Sequence, residues 1–391
     1  MSEASPGDLI LAVNSGSSSL KVGLYEEREG EERALLEGGA DGIGTGSGRR
    51  GSGRLKVKDA AGKAVLDEAY AADDPKQALS EIVAALGKFA AAPVAVGHRV
   101  VHGGPHLREH QRITKKLIET LEASVHFAPL HIPPAVELIR EAERLLPEAQ
   151  QFACFDTAFH TTMPESAYRY ALPEELFRKG VQRYGFHGLS YESVVWRLKD
   201  EMPARVVCAH LGSGASLVAL RDGRSVDTSM GMTPTGGAPM ATRTGDLDPG
   251  VVVFLLRNET LDAEKLETLV NRGSGWKALA GDSDMRELEE RAKAGDAKAT
   301  LAIEIFAGAV RKFIGAYAAE LGGLDLLVFT GGIGEHSAEV RKRVCEGLEF
   351  LGIAAGDADG DADQGAGKVR VMASEEELQI ARHCRRLMGT S

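Results

Sequence analysis

Two stretches of this chain, separated by nearly half its length, share one pattern: an apolar run, a tip of Gly and Ser, then a second apolar run. In the first, Leu9-Ile10-Leu11-Ala12-Val13 meets Asn14-Ser15-Gly16-Ser17-Ser18-Ser19 and resumes as Leu20-Lys21-Val22-Gly23-Leu24. In the second, from Arg205, Val206-Val207-Cys208-Ala209 meets His210-Leu211-Gly212-Ser213-Gly214-Ala215-Ser216 and resumes as Leu217-Val218-Ala219-Leu220. Each predicts a β-hairpin whose tip offers backbone N–H groups and hydroxyls instead of bulk. Small residues let the backbone approach an anion while its amides point at the charge, so either tip suits a phosphate. A repeat at half-length offset predicts a duplicated domain with a nucleotide held between the copies.

At 391 residues, two domains are the natural expectation. Apolar residues make up 43% and charged residues 26%, the proportions of an ordinary soluble globular protein. No apolar run is long enough to span a bilayer, and the start, Met1 to Asp8, is acidic and polar, unlike a signal peptide. A cytoplasmic location is therefore expected. Cys154, Cys208, Cys345 and Cys384 form no C-x-x-C pair and read as buried thiols in a reducing compartment. The net charge of −11 argues against a nucleic-acid partner. It also means that any anionic ligand must be met by a few well-placed cations.

Along the chain, Gly38 to Arg54 reads as a solvated Gly/Ser/Arg loop, and Pro75 to Phe89 as a helix burying Leu79, Ile82, Val83 and Leu86. Val94 to Gly97 is a short buried strand delivering His98-Arg99-Val100-Val101-His102-Gly103-Gly104 at its end, where α/β sheets face ligands. Pro133 to Leu146 predicts a helix opened by prolines, and Phe152 to Phe155 a strand leading into Asp156-Thr157-Ala158-Phe159-His160. Asp227 to Pro249 is too rich in Gly, Thr and Pro for a long regular element and predicts a ligand-facing loop. Leu301, Ile305, Phe306, Ala309, Val310, Phe313, Ile314 and Tyr317 predict one helical stripe, ended by Gly322-Gly323. Leu324 to Thr330 is a buried strand, Gly331 to Glu335 a Gly turn, and Ser337 the start of a helix, a third anion-binding arrangement. The alternating Asp357, Asp359, Asp361 and Asp363 lack the Gly and Glu of a calcium loop and read as surface loop before a strand at Val369 to Met372. A closing helix, Ser374 to Met388, carries Glu376 in its first turn.

In order, these blocks resemble the acetate kinase family, within the superfamily of acetate and sugar kinases, heat-shock chaperones and actin. Val13 to Lys21 is similar to the family's first signature and Val206 to Gly223 to its second. His98 to Gly104, Phe155 to His160, Gly185-Phe186-His187-Gly188 and Asp227 to Gly231 resemble further family blocks. The resemblance implies an α/β fold of two duplicated ribonuclease H-like (actin-like ATPase) domains around a nucleotide cleft. The first would be residues 1–158, completed by the C-terminal helix at 374–391, and the second, nucleotide-binding domain residues 159–373. It further implies a homodimer that moves the γ-phosphoryl of ATP to a short carboxylate with Mg²⁺, or Mn²⁺ in its place.

Such a transfer must neutralise charge, align attacker and leaving group, and exclude water. A carboxylate attacker is already ionised near neutrality, so the obstacle is bringing two anions together. By the resemblance, Arg99 would hold the carboxylate as a fork, Arg243 would grip the transferring phosphoryl, and His187 would donate to it. Asp156 matches the family's catalytic acid; with no substrate proton to remove, positioning of the metal's water shell is the better chemical reading. Asn14 and Glu376 match the magnesium positions, and Lys21 would touch a phosphate. The nucleotide would be held by His210, Leu211, Gly212, Ser213 and Gly214, by Asp284, Met285 and Arg286, and by Gly331, Gly332, Ile333, Gly334 and Glu335. Val101, Leu130, Phe186 and Pro234 match an apolar pocket for the substrate's alkyl end. The four-residue spacing of His98, His102, His106 and His110 would suggest a metal-binding helix, but Gly103-Gly104-Pro105 breaks it.

The chain departs from the family blocks at Leu189 and Tyr191 (usually Thr and His), Ser213 (usually Asn), Ile132 (usually Asn), Thr235 to Ala238 (usually Leu-Glu-Gly-Leu) and Gly331 (usually Ala). None removes an expected cation or metal ligand. They do alter the supporting shell and the specificity loop: the resemblance implies acetate as the substrate, with propionate or butyrate as the alternative, and since one methylene alters discrimination by only about 1–3 kcal/mol, residue types do not choose between them. A chaperone-like or actin-like ATP-switched binding protein is the rival of another class. It gives no reason for Arg99, His187 and Arg243 to occur together.

Overall fold

The structure, a computed structural model, describes residues 7–16, 19–41, 53–70, 74–259, 261–354, 356, 364–366 and 368–389. Ser17 and Ser18 of the first tip, most of the Gly/Ser/Arg loop, and the four alternating aspartates lie outside the described residues. The chain divides into two compact units, Met1–Ala158 with Glu375–Ser391, and Phe159–Ser374.

The first unit is built on β1 (Ile10–Ser15), β2 (Ser19–Arg28), β3 (Glu31–Asp41), β4 (Gly53–Asp59), β5 (Ala64–Tyr70), β6 (Ala95–Val100), β7 (Gln111–Arg112) and β8 (Gln150–Phe155). Their order in the sheet is β5-β4-β3-β2-β1-β6-β8-β7. Strands β1 to β5 run as an antiparallel meander, whereas β1, β6 and β8 are parallel. Helices α1 (Pro75–Leu86), α2 (Lys115–Ala123) and α3 (Ile132–Leu145) supply the crossovers that parallel strands require. Asp74 caps α1 by accepting from the Lys76 amide, and proline at its start costs no hydrogen bond. Leu79 and Ile82 of α1 and Leu138 of α3 bury with Leu11, Val13, Val22 and Val96 in one cluster. The last helix of the chain returns to this unit. It lies so close to β6 that a Cβ at Gly97 would fall 2.4 Å from Ile380 and 2.5 Å from the Cys384 sulfur.

The second unit contains β9 (Arg205–Leu211), β10 (Ala215–Arg221), β11 (Arg224–Thr228), β12 (Leu326–Thr330), β13 (Gln364–Ala366) and β14 (Val369–Val371), ordered β11-β10-β9-β12-β14-β13. Again three antiparallel strands are followed, beyond the first, by two parallel ones. The cores β3-β2-β1-β6-β8 and β11-β10-β9-β12-β14 thus repeat one ribonuclease H-like plan. Its helices are α4 (Glu165–Tyr168), α5 (Glu174–Arg178), α6 (Gly188–Leu198), α7 (Pro249–Asn258), α8 (Ala263–Arg272), α9 (Gly275–Ala280), α10 (Met285–Lys293), α11 (Ala297–Leu321), α12 (Gly331–His336) and α13 (Ala338–Cys345). The returning helix of the first unit is α14 (Glu376–Gly389). Asp296 caps α11 at its start, and Gly322, at φ +73°, ends it in the left-handed region. Among the described residues no helix is long and apolar enough to cross a membrane.

Several local expectations need correction. Gly38 to Asp41 and Gly53 to Arg54 belong to β3 and β4 rather than to the loop; a Cβ at Gly38 would lie 2.0 Å from the Lys56 carbonyl, so glycine lets these strands meet. Strand β6 runs on through His98, Arg99 and Val100 instead of ending before them. Leu301 and Ile305 of α11 are exposed, because the core side of that helix is carried by Ile303, Phe306, Val310, Ile314 and Tyr317. Gly331 to Glu335, expected as a turn, is helical and makes up nearly all of α12. Gln364–Ala366 pairs with β14 as a strand within the expected surface loop.

Candidate functional site

In the first unit the parallel strands end in a charged cluster. Arg99, on β6, donates through Nε and Nη2 to Asp156 Oδ2 at 2.9 and 2.6 Å. Its Nη1 donates to Asn14 Oδ1 at 3.2 Å and to the Ser15 carbonyl at 3.4 Å. Asp156 directly follows β8, the strand paired with β6, and its side chain is fully buried. The guanidinium fork expected to face a substrate therefore closes on Asp156. Of five guanidinium hydrogens, these contacts leave one on Nη2. Burial opposes the charge on Arg99, but Asp156 and Glu376 outweigh it and hold the pKa above its ordinary value.

Asn14 is the penultimate residue of β1 in the first hairpin, and its Nδ2 donates to Glu376 Oε2 and Glu377 Oε1, both at 2.8 Å. These contacts span more than 360 residues of sequence and tie the opening of α14 to the first strand. Burial, then repulsion from Glu376, pushes the Glu377 pKa up. Lys21 stands opposite Asn14 in the β1–β2 register and is exposed; its charge works the other way on Glu377. Asn14, Glu376, Glu377 and Asp156 offer oxygen donors and excess negative charge, the chemistry that suits a hard divalent cation.

In the second unit, His187 precedes α6 with φ +58°, a left-handed conformation uncommon outside glycine. His160 holds this corner. Its ring is buried, its Nε2 donates to the Phe186 carbonyl at 3.0 Å, and its Nδ1 meets Ser225 Oγ at 3.0 Å. Burial pushes the His160 pKa down to about 4. The His187 ring stacks on His210, with centroids 4.2 Å apart. Nδ1 of His187 lies 2.9 Å from Ser216 Oγ, and Nδ1 of His210 lies 2.8 Å from Ser190 Oγ. Both Nε2 atoms are thereby turned towards glycine backbone. A Cβ on Gly214 would lie 3.3 Å from His187 Nε2 and 3.6 Å from Arg243 Nη1; one on Gly331 would lie 3.1 Å from His210 Nε2. Arg243 Nη1 also donates to the Pro234 carbonyl at 3.0 Å. The second unit thus gathers His187, His210, Arg243 and the hairpin tip.

The Gly212 amide donates to the Gly214 carbonyl at 2.9 Å, the Ala241 amide donates to the Ser213 carbonyl at 3.2 Å, and Leu211 is buried. Gly331 and Gly332 begin α12 beside this tip, with Ile333 and Gly334 following. Gly331 has φ +76°, so a side chain there would be strained and would fall 2.8 Å from the Leu211 carbonyl. Glu335 Oε1 accepts from the amides of Gly331 and Ser374, both at 2.9 Å, which commits this carboxylate to holding backbone. Asp284 caps α10, accepting from the Arg286 amide and pairing with its guanidinium at 2.6 Å; Arg286 is exposed and Met285 is buried. Of the four residues expected to meet the alkyl end of a substrate, Val101 and Leu130 belong to the first unit, Phe186 and Pro234 to the second, and Leu130 is exposed.

Sequence reasoning passed over Glu377 and Ser190 in these clusters, and named Ser216 and His160 only as members of their blocks, without a role. The neighbouring acids Glu376-Glu377 and the strand-alternation that puts Ser216 opposite His210 were the available signals. The four-spaced histidines are dispersed: His98 on β6 bonds Gln151, and His110 Nδ1 accepts from the Phe155 amide.

Comparison with known proteins identifies relatives of the whole chain. A sequence profile of the acetokinase family matches residues 9–382. An acetate kinase of Alkaliphilus metalliredigens is 40% identical, over 97% of this chain and 100% of its own length. The crystal structure of Porphyromonas gingivalis acetate kinase superposes with a TM-score of 0.84 at 36% identity, covering 98% of this chain and 100% of that one. A propionate kinase from Francisella tularensis gives a TM-score of 0.85 at 35% identity, covering 96% and 98%.

Proposed function

This chain belongs to the acetokinase family, and from that premise we propose that it transfers the γ-phosphoryl group of ATP reversibly to acetate, forming acetyl phosphate and ADP. The observation that carries the reading is similarity to an acetate kinase over nearly the whole length of both chains. A second reading, propionate as the preferred acid, is favoured by the equally close propionate kinase structure.

Each unit contributes one requirement of the reaction. In the first, Arg99 grips the acid through the hydrogen left on Nη2, while Asp156 fixes the guanidinium. Asp156 acts by position rather than by proton transfer, because the attacking carboxylate already carries its charge. Asn14 and Glu376, with Glu377 beside them, would hold Mg²⁺ or Mn²⁺, which supplies charge neutralisation to phosphate oxygens. Lys21 meets a phosphate from the neighbouring strand. In the second unit, His187 and Arg243 act on the phosphoryl as it moves, where preorganised donors are worth most. His210 to Gly214, Asp284 to Arg286 and Gly331 to Glu335 hold the nucleotide, and Val101, Leu130, Phe186 and Pro234 receive the alkyl end of the acid. Attack in line with the departing ADP needs no covalent enzyme intermediate.

The protein acts as a homodimer. Helix α7 buries none of its residues, and Val251, Val253, Phe254 and Leu256 are exposed along it, a surface that a second copy would cover. Four buried free thiols fit a reducing, cytoplasmic setting. Trapping of acyl phosphate by hydroxylamine, with Mg-ATP and acids of two to four carbons, tests the function and ranks the substrates. If no acid yields product above ATP hydrolysis alone, the kinase reading fails.

A further inference from the structure

We propose that Tyr191 is a positioning residue for the reaction: through Ser216 it holds His187 as a neutral imidazole with its proton on Nε2, the atom turned towards the Gly214 tip. The proposal rests on the role assigned above to His187.

The geometry is a chain of three polar groups. Tyr191 lies one helical turn after His187 on α6, and its amide donates to the His187 carbonyl at 3.1 Å. Its hydroxyl makes a short hydrogen bond to Ser216 Oγ, and Ser216 Oγ lies 2.9 Å from His187 Nδ1. Tyr191 and Ser216 are fully buried, so bulk water does not compete for these contacts. Ser216 is fixed independently by β10, in register with His210 on β9. The ring of Tyr191 is fixed between Phe159, 6.1 Å away, and His160, 5.8 Å away.

The sense of the chain follows from donor and acceptor strength. A phenol is a stronger donor than an aliphatic alcohol, and imidazole Nδ1 is a stronger acceptor than a phenol oxygen. The favoured order is therefore tyrosine donating to serine and serine donating to Nδ1. A serine hydroxyl has a single hydrogen. Once Tyr191 occupies its oxygen as donor, that hydrogen is directed to Nδ1, which must then be unprotonated. The neutral ring keeps its proton on Nε2, facing the backbone of Gly214 and the side of Arg243. A donor held in this tautomer gives the moving phosphoryl a hydrogen bond without paying for ring reorientation in each turnover. It also leaves the positive charge at this point to Arg243. His210 is tethered in the same way, Nδ1 to Ser190 and Nε2 towards Gly331, but its serine continues to Ser374 at 2.9 Å instead of to a phenol.

The test combines a mutant cycle with a direct observation of the ring. Tyr191→Phe keeps the packing and removes the hydroxyl; Ser216→Ala breaks the chain at its centre. Each should lower kcat about tenfold with KM for ATP held within twofold, the size expected when His187 is kept but one hydrogen bond that fixes its tautomer is lost. In the double variant kcat should equal that of Ser216→Ala alone, because Tyr191 then has nothing to act through. Independent packing roles would multiply instead, and that result would overturn the proposal. Unchanged kcat in Tyr191→Phe would do the same. ¹⁵N spectra of the ring, recorded on the wild-type enzyme and Tyr191→Phe, should show the Nε2–H tautomer of His187 and its loss of dominance in the variant. An Nδ1–H tautomer in the wild type would overturn the relay whatever the fate of the Ser216→Ala protein. Because the spectra need no turnover, an enzyme that made no acyl phosphate but showed the expected tautomers would sink the kinase reading and leave the relay standing.

Discussion

Lowering the pH should cost this protein stability through two buried imidazoles, one in each unit. His98 and His160 are both buried, and desolvation pushes each pKa down to about 4 from an ordinary 6.5, against the smaller opposing effects of Gln151 and the Phe186 carbonyl. The folded value lies below the unfolded one, so between these pH limits the unfolded chain binds more protons. Stability from this source is undiminished above about pH 6.5, falls as the pH drops, and is fully lost near pH 4. Taking one such group from pH 8 to pH 5 costs about 2 kcal/mol, and the limiting loss is about 3 kcal/mol. The perturbation is His160→Gln, which removes the titration and keeps an amide to donate to the Phe186 carbonyl. Urea unfolding at pH 8 and pH 5 then gives, for wild type and variant, the change in stability between the two conditions. All other titrating groups are common to both proteins and cancel, so the variant should lose about 2 kcal/mol less than the wild type. His98→Gln should behave alike, and the double variant should add, since the residues sit in different units. If His160→Gln and the wild type lost the same stability, desolvation of this ring could not be the cause.

Other consequences concern the charged cluster, the turn and the surface. Arg99→Ala would remove the guanidinium that compensates the buried charge of Asp156 and should destabilise the protein by about 3–5 kcal/mol; Arg99→Ala with Asp156→Asn should recover much of the stability but no activity, as urea midpoints and acyl hydroxamate yields would reveal. Gly331→Ala forces a methyl into a left-handed residue 2.8 Å from the Leu211 carbonyl, and should cost about 1–2 kcal/mol. An alanine variant as stable as the wild type, with unchanged KM for ATP, would argue against a tight tip there. Phe254→Asp should shift the sedimentation of a homodimer to that of the monomer, and an unaltered dimer would place the interface elsewhere than α7.

The two hairpins were legible because their turn chemistry is local: Gly and Ser between apolar runs specify a tip whatever lies around it. The crossover strands were legible for the same reason, each being a short apolar run ending in the residues that later form the site. What the sequence hid lies in contacts between distant residues. Glu377 is reached by Asn14 from 363 positions away, and the adjacent acids Glu376-Glu377 do not by themselves say which strand they meet. Ser216 reads as one more small residue in a strand until register sets it beside His210, and Tyr191 reads as a departure until its hydroxyl is seen to reach that serine. Periodicity correctly gave α11, but could not say which of two apolar stripes meets the sheet, so Leu301 and Ile305 were assigned to the core and are exposed. Consecutive glycines at 331 and 332 suggested a turn, whereas the positive φ of Gly331 is what lets the chain pass from β12 straight into α12.

The central claim, direct phosphoryl transfer to a carboxylate assisted by Arg243, is tested by ³¹P NMR of the enzyme with Mg-ATP and acetate, beside Arg243→Ala. The account predicts ADP and acyl phosphate rising in equal amounts, with the variant slower by about 10²–10³-fold while ADP still binds. Inorganic phosphate as the sole new product, or an Arg243→Ala enzyme that turns over like the wild type, would contradict it.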